Sequence, residues 1–172
     1  VSALQVYALG SPFGIDRLAW AMIEATPRDA RWRAQRINGC EVLLSGWSHS
    51  RVEQALIVDT VLEPTQEPFS LLQLQRAALQ DNHASLSAHT LNLSEALNLA
   101  ETLDLLPAQL WICGISVPDI ATPWPPAETI DNIANELHAR LSKIEKTTTE
   151  RTGDSMDGGG RIASGTAIEP AE

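Results

Sequence analysis

The chain has 172 residues, a net charge of -10, an apolar fraction of 44% and a charged fraction of 20%, the composition of one globular domain with a full hydrophobic core. The acidic balance argues against a phosphate-binding surface, and no nucleic-acid partner is expected. No apolar run reaches the ~20 residues that cross a bilayer, and the first residues lack the basic, apolar, small-residue order of a signal peptide, so no membrane partner and a cytoplasmic location are expected.

In chain order, the apolar run Leu4–Leu9 reads as a strand, and GSPFGIDRLAW follows it as a Gly/Pro turn opening a helix over Leu18–Ala25. Arg33–Ile37 is a weaker strand candidate, and Glu41–Trp47 a short helix with Val42, Leu43 and Leu44 inward. Ala55-Leu56-Ile57-Val58 is compact and apolar, the mark of a strand buried on both faces. Phe69–Leu74 reads as a further strand. Leu93, Ala96, Leu97, Ala100 and Leu103 recur at helical spacing before Pro107. Leu110–Ile115 reads as the last buried strand, and Ile130, Ile133, Ala134, Leu137, Leu141 and Ile144 form the stripe of a closing helix. From Lys146 the sequence turns to Thr and Gly runs with almost no large apolar side chains, so residues 146–172 are expected to be a flexible tail on a folded domain of residues 1–145. The alternation predicts an α/β fold: a three-layer sandwich whose mostly parallel, twisted sheet carries helices on both faces.

Ligand sites in such sheets form beyond the carboxyl ends of the strands. That rule selects Asp16, in the loop after the first strand, and Asp59, at the end of Ala55–Val58. It also selects His89, where the helix through Leu93 begins. Each has a structural reading beside the functional one. Asp16 suits a helix cap, Asp59 could be structural, and His89 could be an ordinary surface or core histidine. A histidine at a helix start is disfavoured when charged, and the neutral ring is the metal-binding form. Two carboxylates and an imidazole form a mixed oxygen–nitrogen set suited to zinc, nickel or similar ions. His49, His83 and His138 are poorer candidates. Cys40 and Cys113 lack C-x-x-C spacing and read as buried free thiols.

Taken in order, these blocks resemble the hydrogenase maturation protease family, endopeptidases that trim the C-terminus of the large subunit of nickel–iron hydrogenases. The matching blocks are Gly10-Ser11-Pro12-Phe13-Gly14-Ile15-Asp16 after a strand, Leu56-Ile57-Val58-Asp59, and Ser87-Ala88-His89 ahead of a leucine-rich helix, Leu106-Pro107 and a strand ending Gly114-Ile115. The resemblance implies an aspartic-type endopeptidase acting on a nickel–iron hydrogenase large-subunit precursor. Asp16, Asp59 and His89 would complete the coordination of nickel carried by that substrate. It further implies no tightly bound metal in the free protein, and a monomer is expected. Ile15 stands where the family has the first acid of a pair, and Ala19 where it has a glycine. Those two departures carry a second reading, a proteolytically inactive paralogue that binds the precursor as an assembly factor.

Overall fold

In the computed structural model the described residues are 3–77, 79 and 92–153, with the backbone alone for 145–153. Five strands form one sheet: β1 (Leu4–Leu9), β2 (Trp32–Ile37), β3 (Gln54–Leu62), β4 (Leu71–Gln73) and β5 (Gln109–Val117), in the order β2-β1-β3-β5-β4. All neighbours are parallel except β4, which pairs antiparallel with β5. Among the described residues the principal helices are α1 (Leu18–Ala25), α2 (Glu41–His49), α3 (Leu93–Thr102) and α4 (Ala127–Gly153), and a 3-10 turn at Gly14–Arg17 links β1 to α1. This is the expected mostly parallel sheet with helices on both faces.

Alternation along the strands assigns the two layers. Tyr7, Leu9, Ile37, Ala55, Ile57, Val61 and Ile112 share one buried cluster with Leu43 and Trp47 of α2 and with Leu93, Ala96, Leu97 and Ala100 of α3. The intervening residues Val6, Ala8, Leu56 and Val58 are also fully buried, and α1 packs on β1 and β3 with Leu18, Ala19, Met22 and Ile23 inward. β3 is therefore covered on both faces, which is why its sequence shows no polar alternation. α2 turns inward mainly through Leu43 and Trp47, four residues apart, with Val42 and Leu44 only partly buried. α3 starts at a capping box, in which the Asn92 side chain accepts from the Glu95 amide at 2.8 Å and the Glu95 carboxylate accepts from the Asn92 amide at 3.2 Å.

The expected strand at Phe69–Leu74 is confined to Leu71–Gln73. Phe69 has a left-handed backbone, φ 65°, which no strand residue adopts, and its amide instead donates to the Ser116 carbonyl at 2.7 Å. α4 continues past Lys146 to Gly153. The chain divides within α4 into two compact units, Val1–His138 and Ala139–Glu172. The described part of the second unit is the continuation of that helix.

At the carboxyl ends of β1 and β2, one side chain ties the two strands together. The Trp20 indole N–H, on α1, is shared between the Ala8 and Ile37 carbonyls at 3.1 Å each, and the Gly10 amide donates to the same Ile37 carbonyl at 3.0 Å.

Candidate active site at the strand-order reversal

The strand order reverses at β1: the chain passes from β1 outward to β2, then returns across β1 to β3. The crevice at the carboxyl end of such a reversal is where open α/β sheets bind ligands. Asp59 lies at that point. The β1–β3 ladder ends at Ala8 opposite Val58, so Asp59 is the first residue beyond it. β3 does not stop there, as the sequence suggests, but continues to Leu62, because β5 still pairs with it from Asp59 opposite Gly114 through Leu62 opposite Val117. The carboxylate is 2% exposed, and its Oδ1 accepts the Thr60 amide at 2.8 Å. Next to it, the Thr60 hydroxyl is buried with no hydrogen-bond partner among the described residues.

Asp16 reaches the same region from the 3-10 turn, which packs against both α1 and β3. The capping explanation for this residue does not describe its position. Phe13 precedes the 3-10 turn and Arg17 occupies the N-cap of α1, so Asp16 sits inside the turn, 8% exposed. Two glycines make the turn possible. Gly14 has φ +56°, and Gly10 lies so close to the turn that a Cβ there would come within 2.5 Å of the Asp16 carbonyl oxygen. Ile15, where an acid was considered, is 5% exposed and belongs to the core.

His89 falls outside the described residues, as do Ser87, Ala88 and His83. Among the described residues no group of three His, Cys, Asp or Glu side chains gathers to hold a metal ion, so the described part of the expected ligand set is the pair Asp16 and Asp59. A buried carboxyl group is a chemistry that a cation or a transferable proton calls for.

Both cysteines are buried and unbridged. Burial first, and then the negative charges of Asp59 and Glu41, push the Cys40 thiol up from 9.0 to about 12. It is therefore protonated and non-nucleophilic at neutral pH. An unfolded thiol ionises near 9.0 and the folded one only near 12, so its contribution to stability is complete below pH 9 and is lost as pH rises toward 12. The urea midpoint of the wild type is expected to fall more steeply than that of a Cys40→Ala variant between about pH 9 and 11. Parallel slopes would show that Cys40 is not the group responsible.

The loops leaving the same ends of the strands expose apolar side chains. Phe13 before the 3-10 turn is 77% exposed, and Ile120 and Trp124 after β5 are 70% and 40% exposed. The Arg17 guanidinium lies 4.5 Å from the Trp124 ring centroid, linking the loop after β1 to the loop after β5. Sequence reasoning missed these residues, since a single exposed aromatic carries no periodic signal.

No family model and no curated protein matches the chain. Solved structures do. The hydrogenase maturating endopeptidase HybD from E. coli aligns over 85% of this chain and 94% of its own, with TM-score 0.61 and 13% identity. The endopeptidase HycI from Escherichia coli aligns over 84% and 92%, with TM-score 0.61 and 14% identity. The NiFe hydrogenase maturation protease HybD from Thermococcus kodakarensis aligns over 83% and 99%, with TM-score 0.62 and 16% identity. Across almost the full length of each of these proteins, the chain has the fold of the hydrogenase maturation endopeptidases.

Proposed function

We propose that this protein is a hydrogenase maturation endopeptidase that removes the C-terminal extension of a nickel–iron hydrogenase large-subunit precursor after nickel insertion. The observation that carries the reading is the burial of two acidic residues, Asp59 just beyond the β1–β3 ladder at the reversal of strand order and Asp16 in a 3-10 turn that packs against β3. The fold shared with maturation endopeptidases supports it.

In this proposal Asp16, Asp59 and His89 contribute two oxygens and one nitrogen to the nickel that the precursor carries. Three ligands on separate segments leave the remaining coordination positions to the substrate, and the free protein needs no metal of its own. Held by these residues, the substrate's nickel would supply Lewis-acid chemistry to the neighbouring peptide bond, polarising its carbonyl or acidifying a water. The protein's own task is to hold the two carboxyl groups fixed in a site that the precursor closes. Phe13, Ile120 and Trp124 offer the apolar contact that a protein partner would cover. The acidic surface calls for a complementary patch on that partner.

The buried Ile15 favours a second reading. Where an acid would complete a pair, the chain places a core side chain, which suits a paralogue that binds the precursor without cutting it. One assay separates the two. Nickel-loaded and nickel-free precursor are incubated with the protein, and the products are weighed by intact mass spectrometry. Loss of a short C-terminal peptide from the loaded precursor only is the expected result. Binding with unchanged mass would establish the assembly-factor reading, and neither binding nor cleavage would refute both.

A further inference from the structure

We propose that the free edge of β2 is a docking site for an extended acidic peptide segment, which adds to the sheet as a further strand. Among the described residues, β2 is the outer strand on its side of the sheet. In a parallel ladder, alternate residues bond to the neighbouring strand. The Arg31 carbonyl accepts from Leu4 at 3.2 Å and the Ile37 carbonyl from Gly10 at 3.0 Å. The odd-numbered residues of β2 therefore serve β1, and the N–H and C=O groups of Trp32, Ala34 and Arg36 face the open side. Between this strand and the end of α1 lies a cleft of about 630 Å³, whose walls include those same three residues together with Arg28, Arg33 and the two acids Glu24 and Asp29.

The charge at this edge is opposite to that of the protein. Arg28, Arg31, Arg33 and Arg36 are four of the 12 Lys and Arg in a chain of net charge -10. Two of them are neutralised internally: Arg31 by Asp29, and Arg36 by Glu24 at 2.6 Å. Arg28 and Arg33 are exposed and have no carboxylate partner among the described residues. A second copy of the chain is a poor occupant, because pairing β2 with β2 would oppose arginine to arginine. A small anion would fill only part of the cleft and leave the outward backbone groups unused. An extended segment carrying Glu or Asp on alternate residues satisfies both the backbone and the guanidinium groups. The inference is independent of peptidase activity.

The test is calorimetric titration of the full chain with a capped peptide of alternating Glu and Thr, about eight residues long. The same peptide with Lys for Glu, free glutamate and inorganic phosphate are titrated beside it. The Glu peptide is expected to bind and the Lys peptide not. The pair Arg28→Glu, Arg33→Glu, both surface positions, is expected to weaken binding about tenfold or more. Ala34→Pro removes an outward N–H without touching the β1 ladder, and is expected to weaken the peptide severalfold while leaving the far-UV spectrum unchanged. If phosphate or free glutamate binds as tightly as the peptide and Ala34→Pro has no effect, the cleft is a small-anion site and the proposal falls. If the Glu peptide does not bind, the arginines serve only to keep the edge from self-pairing, and the proposal falls equally.

Discussion

An Asp59→Asn variant is expected to leave nickel-loaded precursor untrimmed, with activity reduced on the order of 100-fold or more, while its folding stability stays within about 1 kcal/mol of wild type or rises above it. The two halves of this result have one cause. A carboxylate that is 2% exposed on the central strand is held there against its own desolvation. Asparagine keeps an Oδ1 to accept the Thr60 amide and occupies the same volume, so the backbone contact at 2.8 Å survives. What it loses is the negative charge, and with it the capacity to stabilise a cation. A residue retained for packing would give the opposite pattern, lowered stability with proportionate loss of activity. Urea unfolding and intact-mass assays on the same preparations distinguish them.

The second large effect is expected from a single methyl group. In Gly10→Ala the new Cβ would stand 2.5 Å from the Asp16 carbonyl oxygen and 3.3 Å from the Trp20 indole nitrogen. The first of these is backbone, which cannot swing aside as a side chain can. The 3-10 turn must move, taking Asp16 with it. A cost of about 2–3 kcal/mol is expected, in the upper part of the range for overpacking, or a Tm lower by roughly 5–10 °C. Trimming activity should fall further than stability alone explains, because residual folded protein carries a displaced Asp16. Gly46→Ala is the control. That position in α2 has open space around it, and the helix gains about 0.5–1 kcal/mol from alanine. If Gly10→Ala melts like wild type, the turn tolerates the shift and does not fix Asp16.

How much of this was legible in the sequence differs by element, for physical reasons. Strands buried on both faces read clearly, since nothing polar interrupts Ala55–Val58, yet the same logic ended β3 too early. Asp59 reads as a terminus in the sequence, whereas only the pairing to β1 ends there and β5 carries the strand on to Leu62. β2 was faint because an edge strand buries little: Trp32 and Ile37 are inside and the four residues between them are exposed. Its arginines leave no mark on the net charge, which averages a local cluster away. Asp16 and Asp59 follow as candidates from a rule about sheet edges, with no spacing motif to help. What the sequence could not supply was the 3-10 turn, which depends on Gly10 and Gly14 rather than on Asp16 as a cap. His89 stays with the sequence-based expectation, because its position lies outside the described residues.

The strand order also dictates a schedule for synthesis. β4 is made before α3 and β5, but its partner in the sheet is β5, antiparallel, through Leu71 opposite Ile115 and Gln73 opposite Cys113. As the chain leaves the ribosome, β1, β2 and β3 can already assemble, whereas Leu71–Gln73 must wait until Gln109–Val117 has emerged. Until then β3 shows a bare apolar edge, Gln54 to Leu62, at the centre of the future sheet. The interval needed to translate the intervening segment is the period in which the nascent chain's unpaired strand edge is most open to aggregation.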